Sequence, residues 1–159
     1  MADALLQDAP EVGFRRLIGV RVLDVRENEA RIAVEITEDL LNPAGACHGG
    51  VVGAILDSVM GNAIDGILVP GRIGQFAVTV ESKVNYLASV PPGPVTASAR
   101  VLSNDGELAV IEAELLRHDG KRAAFGLATF MITRPPGSSM SEGPAGGDST
   151  SRRGGEQGR

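Results

Sequence analysis

Tryptophan is absent, and cysteine, tyrosine and histidine are nearly so: one Cys, one Tyr and two His in 159 residues. The single Cys47 excludes an internal disulfide and a cysteine-based zinc site. Aromatic residues make up only 3% of the chain, so a core must be built from Val, Leu, Ile and Ala. The net charge is −5, and no basic cluster interrupts the part expected to fold, which argues against a nucleic-acid surface. No basic segment followed by an apolar one opens the chain, so no secretory signal is read. The most apolar run, 51–60, is too short and too rich in glycine to span a bilayer. The His and carboxylate residues show no metal-ligand spacing, so neither a metal nor a cofactor is expected. These absences together imply a soluble, cytoplasmic protein that binds neither nucleic acid nor membrane.

What is present is ordinary for one globular domain: 43% hydrophobic residues, in a chain long enough to bury a core. Residues 1–18 read as a short helical lead-in whose Leu5, Leu6, Phe14, Leu17 and Ile18 dock on that core, with Pro10 within it and Gly19 ending it. The domain proper runs from 19 to 134. Val20–Val25 and Ala30–Ile36 have strand character, the second with strict alternation, and Glu27-Asn28 turns between them. Thr37 to Gly45 is a loop. Val51, Val52, Ile55, Leu56, Val59, Ala63 and Ile67 then recur at helical spacing, which predicts a long buried helix ending near Gly66 to Gly71.

Four strand patterns follow, over 75–87, 95–102, 107–117 and 122–133. They are separated by Pro91-Pro92-Gly93, Asn104-Asp105-Gly106 and His118-Asp119-Gly120. In the first of the four, alternation puts Phe76, Val78, Val80, Val84 and Tyr86 on one face and Thr79, Glu81, Lys83 and Asn85 on the other. From Pro135 the composition turns to Pro, Gly, Ser and charge, and residues 135–159 read as a disordered tail. Six strands and one long helix make an α+β domain with a mostly antiparallel sheet around that helix.

One stretch carries candidate chemistry. Gly53, Asp57 and Gly61 are spaced i, i+4, i+8 and so form one line along the helix. A glycine in a helix interior costs about 1 kcal/mol relative to Ala. Two of them flanking an acid imply that something approaches there, or that the helix packs tightly on the sheet. Before the helix stand Asn42 and His48-Gly49-Gly50. A helix start offers free N–H groups and the positive end of the dipole. Asn42 also suits an ordinary turn before Pro43, His48 an ordinary helix cap, and Thr79 an ordinary strand position. Cys47 and His48 are adjacent on an irregular segment with no third orienting group, which disfavours a Cys–His nucleophile.

The order of elements, Asn42, His48-Gly49-Gly50, the acid nine residues after the histidine and Thr79 in the next strand resemble the hotdog-fold acyl-CoA thioesterases. The nearest branch is PaaI-like, related to the 4-hydroxybenzoyl-CoA thioesterases, and the resemblance covers about residues 12–134. Leu17-Ile18-Gly19-Val20 and Gly126-Leu-Ala-Thr-Phe130 are lesser matches.

The resemblance implies hydrolysis of an acyl-CoA or aroyl-CoA thioester. Gly49 N–H would polarise the carbonyl, and Asp57 would act as nucleophile or general base. Asn42 and His48 would order the loop or assist near the leaving thiol, and Thr79 would bond to Asp57 or its water. Gly50, Ile55, Val59, Met60 and Glu81 would line the substrate site, with Tyr86, Leu87, Ala88, Ser89, Val90 and Pro91 along the coenzyme A arm and Lys83 and Arg100 near its phosphates. It also implies a homodimer or homotetramer with the site between subunits and strand 75–87 pairing with its own copy. A non-catalytic acyl-CoA-binding or sensing module and an enoyl-thioester hydratase are the competing functions. Acyl length, aromatic preference, coenzyme A against carrier protein, and the role of the tail are not written in the sequence.

Overall fold

A computed structural model describes residues 13–66 and 76–133. Leu5, Leu6, Pro10, Ile67 and the tail expected over 135–159 lie outside those residues. The elements are α1 (Phe14–Leu17), β1 (Arg21–Arg26), β2 (Glu29–Ile36), a 3-10 turn (Glu38–Leu40), α2 (Gly49–Asp65), β3 (Ala77–Tyr86), β4 (Gly93–Asn104), β5 (Leu108–Arg117) and β6 (Arg122–Ile132). The strands form one antiparallel sheet in the order β1-β2-β4-β5-β6-β3. All six pack against α2. This is the α+β architecture expected, with β1 and β3 as the edges. No described helix is long and apolar enough to cross a membrane.

Alternation decides the sheet's inner face. Ala30, Ile32, Val34 and Ile36 of β2 are buried, as are Ala109, Ile111, Ala113 and Leu115 of β5, while Arg31 and Glu35 point to solvent. Against this face α2 lays Val52, Ile55, Leu56, Val59, Met60, Ala63 and Ile64. Each fully buried aliphatic side chain contributes about 1.5–3 kcal/mol. Small residues on β6 bring helix and sheet close: a Cβ on Gly126 would stand 3.4 Å from Leu56 Cδ1.

Two expectations are corrected. Phe14 and Leu17 do not dock; they are 57% and 77% exposed, and only Ile18, at 3%, reaches the core. Among the described residues the lead-in has a single helical turn, Phe14–Leu17, and Gly19 at φ 72° redirects the chain so that Ile18 and Val20 point inward instead.

The second correction concerns β3. Its pairing with β6 shifts between Thr79 and Glu81, so Val80 is bulged. Thr79 lies opposite the buried Phe130 and faces the helix. Glu81 lies opposite Thr129, whose hydroxyl donates to it at 3.2 Å on the outer face. Beyond the bulge Val84 and Tyr86 face the helix, opposite Gly126 and Ala124. Thr79 therefore shares a face with Val84 and Tyr86, and parts from Glu81, Lys83 and Asn85.

The far end of α2 touches the β1–β2 turn. A Cβ on Gly66 would collide with the Arg26 carbonyl oxygen and stand 3.2 Å from Val25 Cγ1. Gly66→Ala is expected to destabilise the fold by about 1–3 kcal/mol, read as a lower urea midpoint at unchanged m-value. An unshifted midpoint would show that the turn yields freely.

Candidate active site

The loop before α2 is built on Asn42. Its Oδ1 accepts from the N–H groups of Ala44 (2.9 Å) and Ala46 (3.3 Å), and its own N–H donates to Ala46 O at 2.7 Å. Gly45, at φ 77°, supplies the left-handed turn that closes this loop. His48 caps the helix: its Nδ1 accepts the Gly50 N–H at 2.9 Å, and its carbonyl accepts those of Val51 and Val52 at 2.9 and 3.1 Å. A nitrogen that accepts carries no proton, so this hydrogen-bond geometry assigns the His48 proton to Nε2. Of the four N–H groups that open α2, only that of Gly49 has no partner among the described residues. It sits at the positive end of a 17-residue helix.

That donor borders a cleft of about 400 Å³. Asn42, Ala46, Cys47 and Val52 form one side; Tyr86, Leu87, Ala88, Ser89, Val90 and Ala123 form the other. Backbone bonds hold the walls in register, with Cys47 N–H donating to Val90 O at 2.8 Å and Leu87 and Ala88 N–H both donating to Ala123 O. Arg117 Nη1 donates to Ser89 O at 3.1 Å and pairs through Nη2 with Asp119. Pro91 stands beyond the lining.

Asp57 lies two turns along α2 on its open side. Its Oδ1 accepts the Thr79 hydroxyl at 2.8 Å, and both residues are half-buried. Among the described residues, the glycines flanking it pack against almost nothing. A Cβ on Gly61 would meet nothing within 4 Å, and one on Gly53 would meet only the Tyr86 hydroxyl, at 3.8 Å. The described residues therefore leave the face of α2 around Asp57 open.

Several expected site residues lie elsewhere. Ile55 and Val59 are fully buried against the sheet, because they occupy the helix face opposite the Gly53–Asp57–Gly61 line, and Met60, three residues past Asp57, is fully buried as well. They line none of the clefts among the described residues. The Val80 bulge sends Glu81 to the outer face of the sheet. Lys83 is on that face too, and so is Arg100, which is ion-paired with Glu112. Gly50 is exposed beside the cleft and bonded to His48.

The sequence reading missed Ala46, Val52 and Ala123, which are plain in composition, and the long-range hold of Arg117 on Ser89, which leaves no local signal. Cys47 lines the cleft, but burial pushes its thiol up from the usual range, so it offers little thiolate at neutral pH.

Gly49 and Asp57 are eight residues apart on one straight helix, about 12 Å along its axis. One carbonyl group cannot touch both. Each chain therefore holds two separate features: an N–H without a partner among the described residues, beside a cleft, and a carboxylate with a hydroxyl partner.

Residues 44–124 match the family model of the thioesterase superfamily. Among curated proteins, the chain is similar to 1,4-dihydroxy-2-naphthoyl-CoA hydrolase of Listeria monocytogenes, 24% identical over 77% of this chain and 98% of that one. Among solved structures it resembles a conserved protein of Pseudomonas aeruginosa, 30% identical with TM-score 0.71 over 79% of this chain and 99% of that one. It also resembles the Escherichia coli PaaI protein of the phenylacetic acid degradation operon, 20% identical with TM-score 0.71 over 83% and 90% of the two chains.

Proposed function

Because this chain belongs to the thioesterase superfamily, we propose that it hydrolyses an acyl-CoA or aroyl-CoA thioester to the free acid and coenzyme A. The observation that carries the proposal is the Gly49 N–H, which has no partner among the described residues and stands at a helix start beside a cleft with mostly apolar walls.

In this reading the thioester carbonyl accepts from Gly49 N–H, and the pantetheine arm runs along Tyr86 to Val90. Asp57 takes a proton from water as the water oxygen bonds to the carbonyl carbon. The tetrahedral oxyanion rests on Gly49 N–H. Collapse breaks the C–S bond, and the thiolate leaves to be protonated, with His48 Nε2–H nearby as a donor. The alternative route has the Asp57 carboxylate attack directly, giving an anhydride that water opens. Thr79 steadies the carboxylate in both.

The separation of the half-sites requires a second copy to bring its Asp57 and Thr79 to the Gly49 of the first. The free edge of β3 is the place for two copies to join about a two-fold axis. The working unit is then a cytoplasmic homodimer, or a tetramer of two such dimers.

The test is release of free thiol from a panel of short, long and aromatic acyl-CoA thioesters. No release from any member sinks the proposal. The split site is tested by mixing two inactive variants, Gly49→Pro and Asp57→Asn. Random pairing makes half the dimers mixed, each with one intact site of two, so about a quarter of wild-type activity returns. A mixture as inactive as its parts would overturn the sharing of one site between two subunits.

A further inference from the structure

Gly49 and Gly50 make the least pre-ordered start a helix can have, since glycine loses more conformational freedom on folding than any other residue. Yet the Gly49 N–H has to hold one direction. Two side chains restrain the peptide group between these glycines. At its carbonyl end, Tyr86 Oη donates to Gly49 O at 3.1 Å. At its N–H end, Gly50 donates to His48 Nδ1 at 2.9 Å. The preceding peptide group is held through its own carbonyl by Val51 and Val52 N–H. Only the two dihedrals of Gly49 lie between these fixed planes.

The ring adds a wall. Tyr86 Cε1 and Cζ lie 3.6 Å from the point where a Cβ on Gly49 would stand, and the hydroxyl lies 3.8 Å from the matching point on Gly53. Tyr86 is the chain's only tyrosine and is 59% exposed, so core burial does not dictate where it sits. The Val80 bulge brings it to the helix side.

We propose that Tyr86 is a positioning residue for the Gly49 donor. Its hydroxyl fixes the Gly49–Gly50 peptide from one end while His48 fixes it from the other, and the series of bonds from Tyr86 to His48 polarises along its length. The proposal rests on the reading of Gly49 as the carbonyl's donor, and extends it to the residue that aims that donor.

Tyr86→Phe keeps the ring and removes the hydroxyl. Amide hydrogen exchange at Gly50, followed by NMR, is expected to speed by about 3- to 10-fold, with exchange at Ile55 to Met60 unchanged. In the thioester assay kcat falls by about 3- to 10-fold with KM within about twofold. Unchanged Gly50 exchange overturns the proposal whatever the assay reads. A raised KM at constant kcat overturns it too, because the hydroxyl would then serve to hold substrate and not to aim the Gly49 donor. If the wild type hydrolyses no thioester and Gly50 exchange still speeds in the variant, the thioesterase reading fails, while the hold of Tyr86 on the helix start stands.

Discussion

Asp57→Asn is expected to lower kcat by about 10²–10⁴-fold, the range for removing a positioned base. Asparagine has the shape of aspartate, and its Oδ1 can still accept the Thr79 hydroxyl, which donates at 2.8 Å in the wild type. The side chain lies on the open face of α2 and is only half-buried, so the substitution creates no cavity and strands no buried charge. Folding stability should stay within about 0.5 kcal/mol. What is lost is the carboxylate that accepts a proton or attacks carbon. Steady-state thiol release and a thermal melt on the same preparation separate the two effects. Wild-type turnover in a well-folded Asp57→Asn protein would remove Asp57 from the chemistry.

Gly49→Pro isolates the other half of the site. Gly49 is the first helical residue, where proline is tolerated because the missing N–H has no intrahelical partner. His48 before it is extended, at φ −60° and ψ 136°, as a residue preceding proline requires. The substitution therefore deletes one donor without disturbing the helix. It should leave the melting temperature equal or higher, since proline also restricts the unfolded chain. The expected fall in kcat is about 10²–10³-fold, the usual loss for one oxyanion donor. Gly49→Ala is the control: it keeps the N–H, and its Cβ would make an ordinary 3.6 Å contact with the Tyr86 ring. Equal kcat in the Pro and Ala variants would show that the N–H carries none of the rate.

Much of this was legible in the residues. The alternation of Ala30, Ile32, Val34 and Ile36 and the helical spacing of Val52, Ile55, Leu56 and Val59 reflect how strands and helices bury one face, so the elements and their order followed. The turns marked by Asn104-Asp105-Gly106 and His118-Asp119-Gly120 are where β4–β5 and β5–β6 reverse, with Gly106 and Gly120 at positive φ. The contact between Thr79 and Asp57 was legible through the resemblance.

What escaped depends on geometry that leaves no mark in composition. Ile55, Val59 and Met60 are apolar enough for a substrate pocket, but all three are buried in the core, the first two because the rotation of α2 turns them to the sheet. Phe14 and Leu17 have core chemistry, but the turn they belong to presents Ile18 to the core and leaves them outside. Arg117 and Ser89 meet across 28 positions, where no local pattern speaks.

The bulge at Val80 sets a rule for how this strand can change over evolutionary time. Thr79 reaches α2 beside Asp57, and Tyr86 reaches it beside Gly49. They are seven positions apart, an odd number, and in an unbroken strand an odd separation sends two side chains to opposite faces. The extra residue makes the count even in effect. A single insertion or deletion that leaves the bulge in place would sever one of the two attachments, whereas loss of the bulged residue itself, or a change of two residues, would keep both on the helix side. Homologues that retain both contacts are then constrained in parity: an odd separation with a bulge, or an even one without.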